Sequence, residues 1–258
     1  MLFRPLISRS CRLLITGQCA SRIHVTSTTS IKVNQASVTL YSTQTTPPNV
    51  ALRLMPLGGS VTYGVGSSDG NGYRKLLRGL LLADGYEVCM VGSRKAGSMH
   101  NNENEGWRGY RLDQIESKAR RSVATFKPNL FTINAGSNDC IQSHKLDAFE
   151  HRMDDLLEYL WETSPLSTVI LSTLLVNEDE QVNSRVQDIN CRLRNLVVLK
   201  QAEQKRIILA DMYSTKGPEL DDLVDGTHPN DNGYSKMAHV WFYSIAKAQA
   251  NGFLDLQR

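Results

Sequence analysis

The sequence predicts an α/β sandwich: a five-stranded parallel sheet with helices on both faces. Two observations carry this reading. Short apolar runs alternate along the chain with segments whose apolar residues recur at helical spacing, five times over. The runs are apolar through their middles rather than alternating, as strands covered on both faces must be. The 258 residues are 41% hydrophobic with a net charge of +3, enough to bury a core and too balanced for a disordered chain.

Each element can be justified in order. Residues 52–57 form a short apolar run ended by Gly58-Gly59, the first strand. Residues 73–84 place Leu76, Leu77, Leu80 and Leu81 on one helical stripe, with Gly85 as a stop. Residues 86–91 read as the second strand, followed by a polar loop to about Trp107. Residues 112–126 read as a helix stopped by Pro128, and 130–134 as the third strand. Leu146, Phe149, Met153, Leu156, Leu157 and Leu160 mark a helix that ends near Pro165. A fourth strand is expected at 168–174, a long helix at 182–202 and a fifth strand at 206–210. Tyr234, Met237, Ala238, Trp241, Phe242 and Ile245 give a last amphipathic helix.

The first fifty residues differ from the rest. They hold four Arg, one Lys and 15 Ser or Thr, and no acidic residue precedes Asp69. On a helical wheel Leu2, Phe3, Leu6, Ile7, Leu13 and Leu14 share one side, with Arg4, Arg9 and Arg12 opposite. Residues 1–50 therefore read as a targeting segment of mitochondrial type, with a secretory signal or a disordered tail as alternatives. The run 43–48, ending in Pro-Pro, reads as a linker, and 51–258 as one domain. The absence of an N-x-S/T site in the chain weighs slightly against secretion. No window of ~18 apolar residues exists, so no membrane-spanning helix is expected. The balanced charge gives no support for nucleic-acid binding.

In open parallel sheets, ligands sit beyond the carboxyl ends of the strands. Four loops on that edge carry chemistry: Gly58-Gly59-Ser60, Glu105-Gly106-Trp107-Arg108-Gly109-Tyr110, Asn134-Ala135-Gly136-Ser137-Asn138-Asp139 and Asp225-Gly226-Thr227-His228. They offer a hydroxyl, a histidine to take its proton, a carboxylate to orient that histidine, and donors for an oxyanion. Ser60, His228 and Asp225 fill the first three roles. Ser60 N–H, Gly109 N–H and the Asn138 amide are the candidate oxyanion donors, with Gly106 as the rival to Gly109. Plainer readings stand beside these. Ser60 and Asp225 are also good turn residues, and Asn138 is a possible helix cap. Trp107, Tyr110, Tyr63 and Tyr73 suit stacking on a sugar, lining an acyl pocket or core packing equally well. Asp139 reads as structural, and Cys89 and Cys191 read as core.

Other chemistries find less support. Gly64-Val65-Gly66 lacks the third glycine of a dinucleotide fingerprint, so no nucleotide cofactor is expected. No H-E-x-x-H pair or C-x-x-C pair occurs, so no metal site is indicated.

The segments MPLGGSVTYGVGSSDGNGYR, VGSRKAG, EGWRGYRLDQI, NAGSND, LSTLL and DGTHPNDNGYSKMA resemble the SGNH hydrolases, also called GDSL esterases. The likeness is nearest to the acetylxylan-esterase-like group, carbohydrate esterase family 3, and covers about residues 52–250. It implies a flavodoxin-like three-layer fold and a serine esterase using Ser60, Asp225 and His228, with Gly109 and Asn138 as oxyanion donors. It further implies an O-acetylated sugar or polysaccharide as substrate; a monomer without cofactor is expected. A lipid-type ester on the same machinery, and a degenerate glycan-binding relative, are the alternatives. One departure stands out: the family's Gly-Asp-Ser is Gly58-Gly59-Ser60 here, so the carboxylate beside the nucleophile is missing.

Overall fold

The computed structural model describes residues 51–254. The targeting segment and linker expected before residue 51 lie outside the described residues. The strands are β1 (Ala51–Gly58), β2 (Glu87–Met90), β3 (Arg94–Lys95), β4 (Glu103–Gly106), β5 (Leu130–Asn134), β6 (Thr168–Ser172) and β7 (Ile207–Ala210). The helices are α1 (Ser60–Tyr63), α2 (Arg74–Ala83), α3 (Leu112–Phe126), α4 (Ser137–Ile141), α5 (Phe149–Thr163), α6 (Glu180–Ala202) and α7 (Asp231–Ala250).

The five expected strands form the parallel body, in the order β2-β1-β5-β6-β7. The expectation of exactly five is corrected: the sheet has seven strands. The extra pair, β3 and β4, lies in the stretch read as a polar loop. β4 runs parallel to the end of β1, and β3 pairs antiparallel with β4. Glu103-Asn104-Glu105-Gly106 carries no apolar pattern, so hydrophobic periodicity could not reveal it. Side-chain hydrogen bonds hold it instead. Asn104 Oδ1 accepts from Gly106 N–H, and Glu105 accepts from Ser93 N–H and Trp107 Nε1–H.

β1 changes partner half-way. Leu54 is opposite Met90 of β2, and Leu57 is opposite Glu105 of β4. Pro56 falls between the two pairings. The Leu54 and Gly58 carbonyls accept from Val91 and Trp107 on that edge, so the N–H that Pro56 lacks would face the same gap. A proline in a central strand therefore costs no ladder bond here.

Alternate strand residues feed two cores. Met55, Leu57, Phe131, Ile133, Val169 and Leu171 pack under α3, α5 and α6. Leu52, Leu54, Leu130, Ile170 and Ile208 pack under α2 and α7, where the Tyr73 and Trp241 rings meet at 5.6 Å. The result is three layers. β1 and β5 are neighbours from which the strand order runs outward in both directions, so the crevice at their carboxyl ends is the topological switch point. Cys89 and Cys191 are exposed, not in the core as expected. Cys89 falls on the outward phase of β2, whose burial alternates.

Candidate active site

Ser60 follows β1 through Gly59 and opens α1. The strand must come close to β5 at this point, because a Cβ on Gly58 would lie 2.1 Å from the Asn134 carbonyl oxygen. Only glycine permits that approach. The Ser60 N–H, first in its helix, has no intrahelical acceptor.

His228 comes from the loop after β7. Its Nε2 lies 2.8 Å from Ser60 Oγ, and its Nδ1 lies 2.7 Å from Asp225 Oδ2. Asp225 divides its oxygens between two tasks. Oδ2 faces the imidazole, while Oδ1 accepts from the backbone N–H of Thr227 and His228. These contacts leave room for both a turn-forming and an imidazole-orienting role of Asp225. Burial works to raise the Asp225 pKa, but the His228 ring, its N–H and the Thr227 N–H outweigh it and hold the carboxyl below the ordinary value.

Asn138 is the second residue of α4, after the Gly136 cap, so it does not cap that helix. One hydrogen of its Nδ2 goes to the Tyr110 carbonyl at 3.0 Å, leaving the second for a ligand. Gly109 sits at φ +76°, in a turn where glycine is the unstrained choice. Gly106, the rival donor, is buried in β4 with its N–H committed to Asn104 Oδ1. Ser60, Gly109, Asn138 and His228 all border one pocket of about 400 Å³.

Residues 57–236 match the GDSL-like Lipase/Acylhydrolase family. The chain belongs to this family. Its fold is mixed α/β, with helices on both faces of the sheet. A multidomain esterase of Ruminococcus flavefaciens is 31% identical over 75% of this chain. The chain spans 28% of that relative's length. A family 3 carbohydrate esterase of Clostridium thermocellum has a TM-score of 0.70 at 23% identity, covering 78% of this chain and 98% of its own. The corresponding esterase of Talaromyces cellulolyticus has a TM-score of 0.68 at 19% identity, covering 80% and 100%. At these identities the likeness concerns the fold.

The aromatic candidates sort differently from one another. Tyr73 is fully buried in the core. Trp107 and Tyr110 stack on each other at 5.4 Å, with Lys118 4.3 Å and Arg94 4.6 Å from the Trp107 ring. Asp139, read as structural, is buried and accepts from Leu112 N–H at 2.9 Å and Arg152 at 2.7 Å. Cys140 is buried beside it, and burial pushes its thiol up to about 12, far from a nucleophile's range. Among the described residues no group of three His, Cys, Asp or Glu is placed to hold a metal ion. No described helix is long and apolar enough to cross a membrane.

Two arginines escaped sequence reasoning. Arg108 borders the pocket. Arg74 is fully buried without a carboxylate, and its guanidinium donates to the carbonyls of Tyr63, Gly70, Ala96 and Asn102. Tyr63 is the last residue of α1, so Arg74 anchors the helix that Ser60 begins. Its partners are backbone atoms brought together by folding, which no local pattern announces.

Proposed function

We propose that this esterase removes acetyl groups from carbohydrates through an acyl-enzyme formed on Ser60. The observation that carries the reading is the continuous contact from Asp225 through His228 to Ser60, opening into a pocket most of whose lining residues have polar side chains. With Nδ1–H donating to Asp225, Nε2 is left to accept the Ser60 Oγ–H proton. Ser60 Oγ then bonds to the ester carbonyl carbon. The oxyanion is held by the N–H groups of Ser60 and Gly109 and by Asn138 Nδ2. Collapse breaks the bond to the alcohol oxygen, which leaves with the proton from His228 Nε2. Water attacks the acetyl-Ser60 ester with His228 again as base, and acetate departs.

The carbohydrate reading is supported by the pocket, whose aliphatic wall amounts to Val65 and Ile141, little cover for a long acyl chain. The carbohydrate esterases of similar fold agree with it. Residues 51–258 constitute the catalytic domain in this proposal. The test is a chain-length series of 4-nitrophenyl esters from acetate to laurate, run beside acetylated xylan. Highest kcat/KM on acetate, with acetate released from xylan, is expected. A maximum at octanoate or longer would assign a lipid-type ester instead. No turnover of any ester would leave a glycan-binding relative.

A further inference from the structure

We propose that Arg108 selects sugar esters that carry an anionic group, a carboxylate or phosphate on the sugar. The inference rests on the proposed esterase reading and deepens it. Arg108 borders the same pocket as Ser60, His228, Gly109 and Asn138, and it is exposed. No Asp or Glu borders that pocket among the described residues.

The contrast with neighbouring cations gives this position its meaning. Arg94 lies against the Trp107 and Tyr63 rings, and Lys118 against Trp107 and Tyr110. Arg111 donates to Gln142 at 2.8 Å and lies 3.6 Å from Asp113. Arg152 is committed to Asp139. Arg108 makes no hydrogen bond, ion pair or ring contact among the described residues. Its five N–H donors are unspent at the mouth of a site whose other polar groups converge on an ester.

Position adds a second argument. Arg108 directly precedes Gly109, and consecutive Cα atoms lie ~3.8 Å apart. The guanidinium stem therefore leaves the backbone one residue from an N–H proposed to hold the ester carbonyl. The planar guanidinium matches the two oxygens of a carboxylate or phosphate in a bidentate pair. A neutral sugar hydroxyl would use that fork poorly. The pocket thus joins an ester site to an anion site on one short turn.

The experiment compares three matched substrates on the full chain: an O-acetylated methyl glucuronoside, O-acetyl glucose 6-phosphate and a neutral O-acetylated methyl glucoside. The wild type is expected to favour at least one anionic sugar about five- to tenfold in kcat/KM, mainly through KM, as an exposed charge-assisted pair allows. Which of the two leads identifies the carboxylate or the phosphate as the natural group. The preference should shrink as salt rises from 20 to 500 mM. In Arg108→Gln the ratio should fall to about one, in Arg108→Glu below one, and Arg108→Lys should restore part of it. A wild type that turns over all three sugars equally would overturn the proposal while leaving the esterase reading intact. So would an Arg108→Gln loss of the same size on neutral and anionic sugars, which would place Arg108 on the ester or the loop. Failure to hydrolyse even 4-nitrophenyl acetate would defeat the esterase reading itself, and this inference with it.

Discussion

The two walls of the pocket are built in opposite ways. The wall carrying Ser60 and Asn138 is rooted in the core. Gly58 packs against Asn134 of β5, Asn134 reaches the buried Ser172, and Arg74 and Asp139 fix the neighbouring backbone from inside. The wall carrying His228 and Asp225 is a surface loop. Its ties within itself are Val224 N–H to the His228 carbonyl, the Leu223–Pro229 bridge, and Asp222 with Lys236, and two hydrogen bonds join it to the loop after β6, from Glu178 N–H to the Gly226 carbonyl and from Asn177 Nδ2 to Thr227 Oγ1. The Asp225 side chain is 52% exposed and that of His228 19%. In the proposed mechanism a nucleophile and its oxyanion donors must be placed to within a fraction of an ångström, and a rigid core does that. A base held by its own carboxylate needs less of the core, so stability and activity should separate between the walls.

The sharpest separation is expected at Asp225. Asp225→Asn should lower kcat by up to ~10⁴-fold, the loss typical of a triad carboxylate turned into an amide. Its melting temperature should stay within ~3 °C of the wild type, since exposed pairs contribute at most ~1 kcal/mol. Kinetics beside a thermal melt check both halves, and a collapse in melting temperature would erase the distinction. On the other wall, Asn138→Ala should cost ~10²–10³-fold in kcat with KM little changed. A rise in KM at constant kcat would make Asn138 a substrate-binding residue instead.

Asp139 should behave as a stability residue. Asp139→Ala leaves the Leu112 N–H and Arg152 without their carboxylate, at a cost of about 3 kcal/mol or more. For a domain of this size that is roughly 6–12 °C in melting temperature, readable by calorimetry. A variant as stable as wild type would show that this wall is not held from within.

The pH response separates the walls in another way. The folded pKa values of Asp225 and Asp222 lie below the ordinary 3.8, held down by hydrogen bonds despite burial, with the Lys236 charge adding to the effect at Asp222. Their contribution to stability is complete above 3.8 and is lost only as pH falls through the lower folded values. Activity needs, in addition, an imidazole free to accept the serine proton. A single ionisation on the acid limb of kcat/KM, with melting temperature constant from pH 8 to 5, is the expected pair of curves. Parallel loss of both would tie activity to unfolding.

How far the sequence could be read follows the same division. The five parallel strands were legible because burial on both faces leaves apolar runs. β3 and β4 were not, because polar side chains and backbone hold them. Ser60, Asn138, Asp225 and His228 were legible as ordered blocks at strand ends, and the geometry brings Ser60, Asn138 and His228 to one pocket with Asp225 behind the His228 ring. Arg74 and Arg108 were not, since the partners of one are distant carbonyls and the other is distinguished by having none. Cys89 and Cys191 were misread because a small apolar residue type says nothing of the phase on which it falls.

The smallest expected effect concerns Gly59. Its φ of −91° suits any residue, and an added Cβ would approach only the Asn138 amide nitrogen at 3.7 Å and the Trp107 carbonyl oxygen at 3.9 Å. Gly59→Asp should therefore fold, and a carboxylate bracing the loop should raise kcat severalfold at unchanged melting temperature. If kcat does not move, the hold of Arg74 on Tyr63 already supplies the bracing.

The central claim is that His228 activates Ser60 as the nucleophile. A fluorophosphonate probe followed by peptide mapping in a mass spectrometer tests it most directly. The account predicts one modified residue, Ser60, with no labelling in Ser60→Ala and labelling slowed at least ~10³-fold in His228→Ala. Label on another serine, or label that persists in Ser60→Ala, would contradict it.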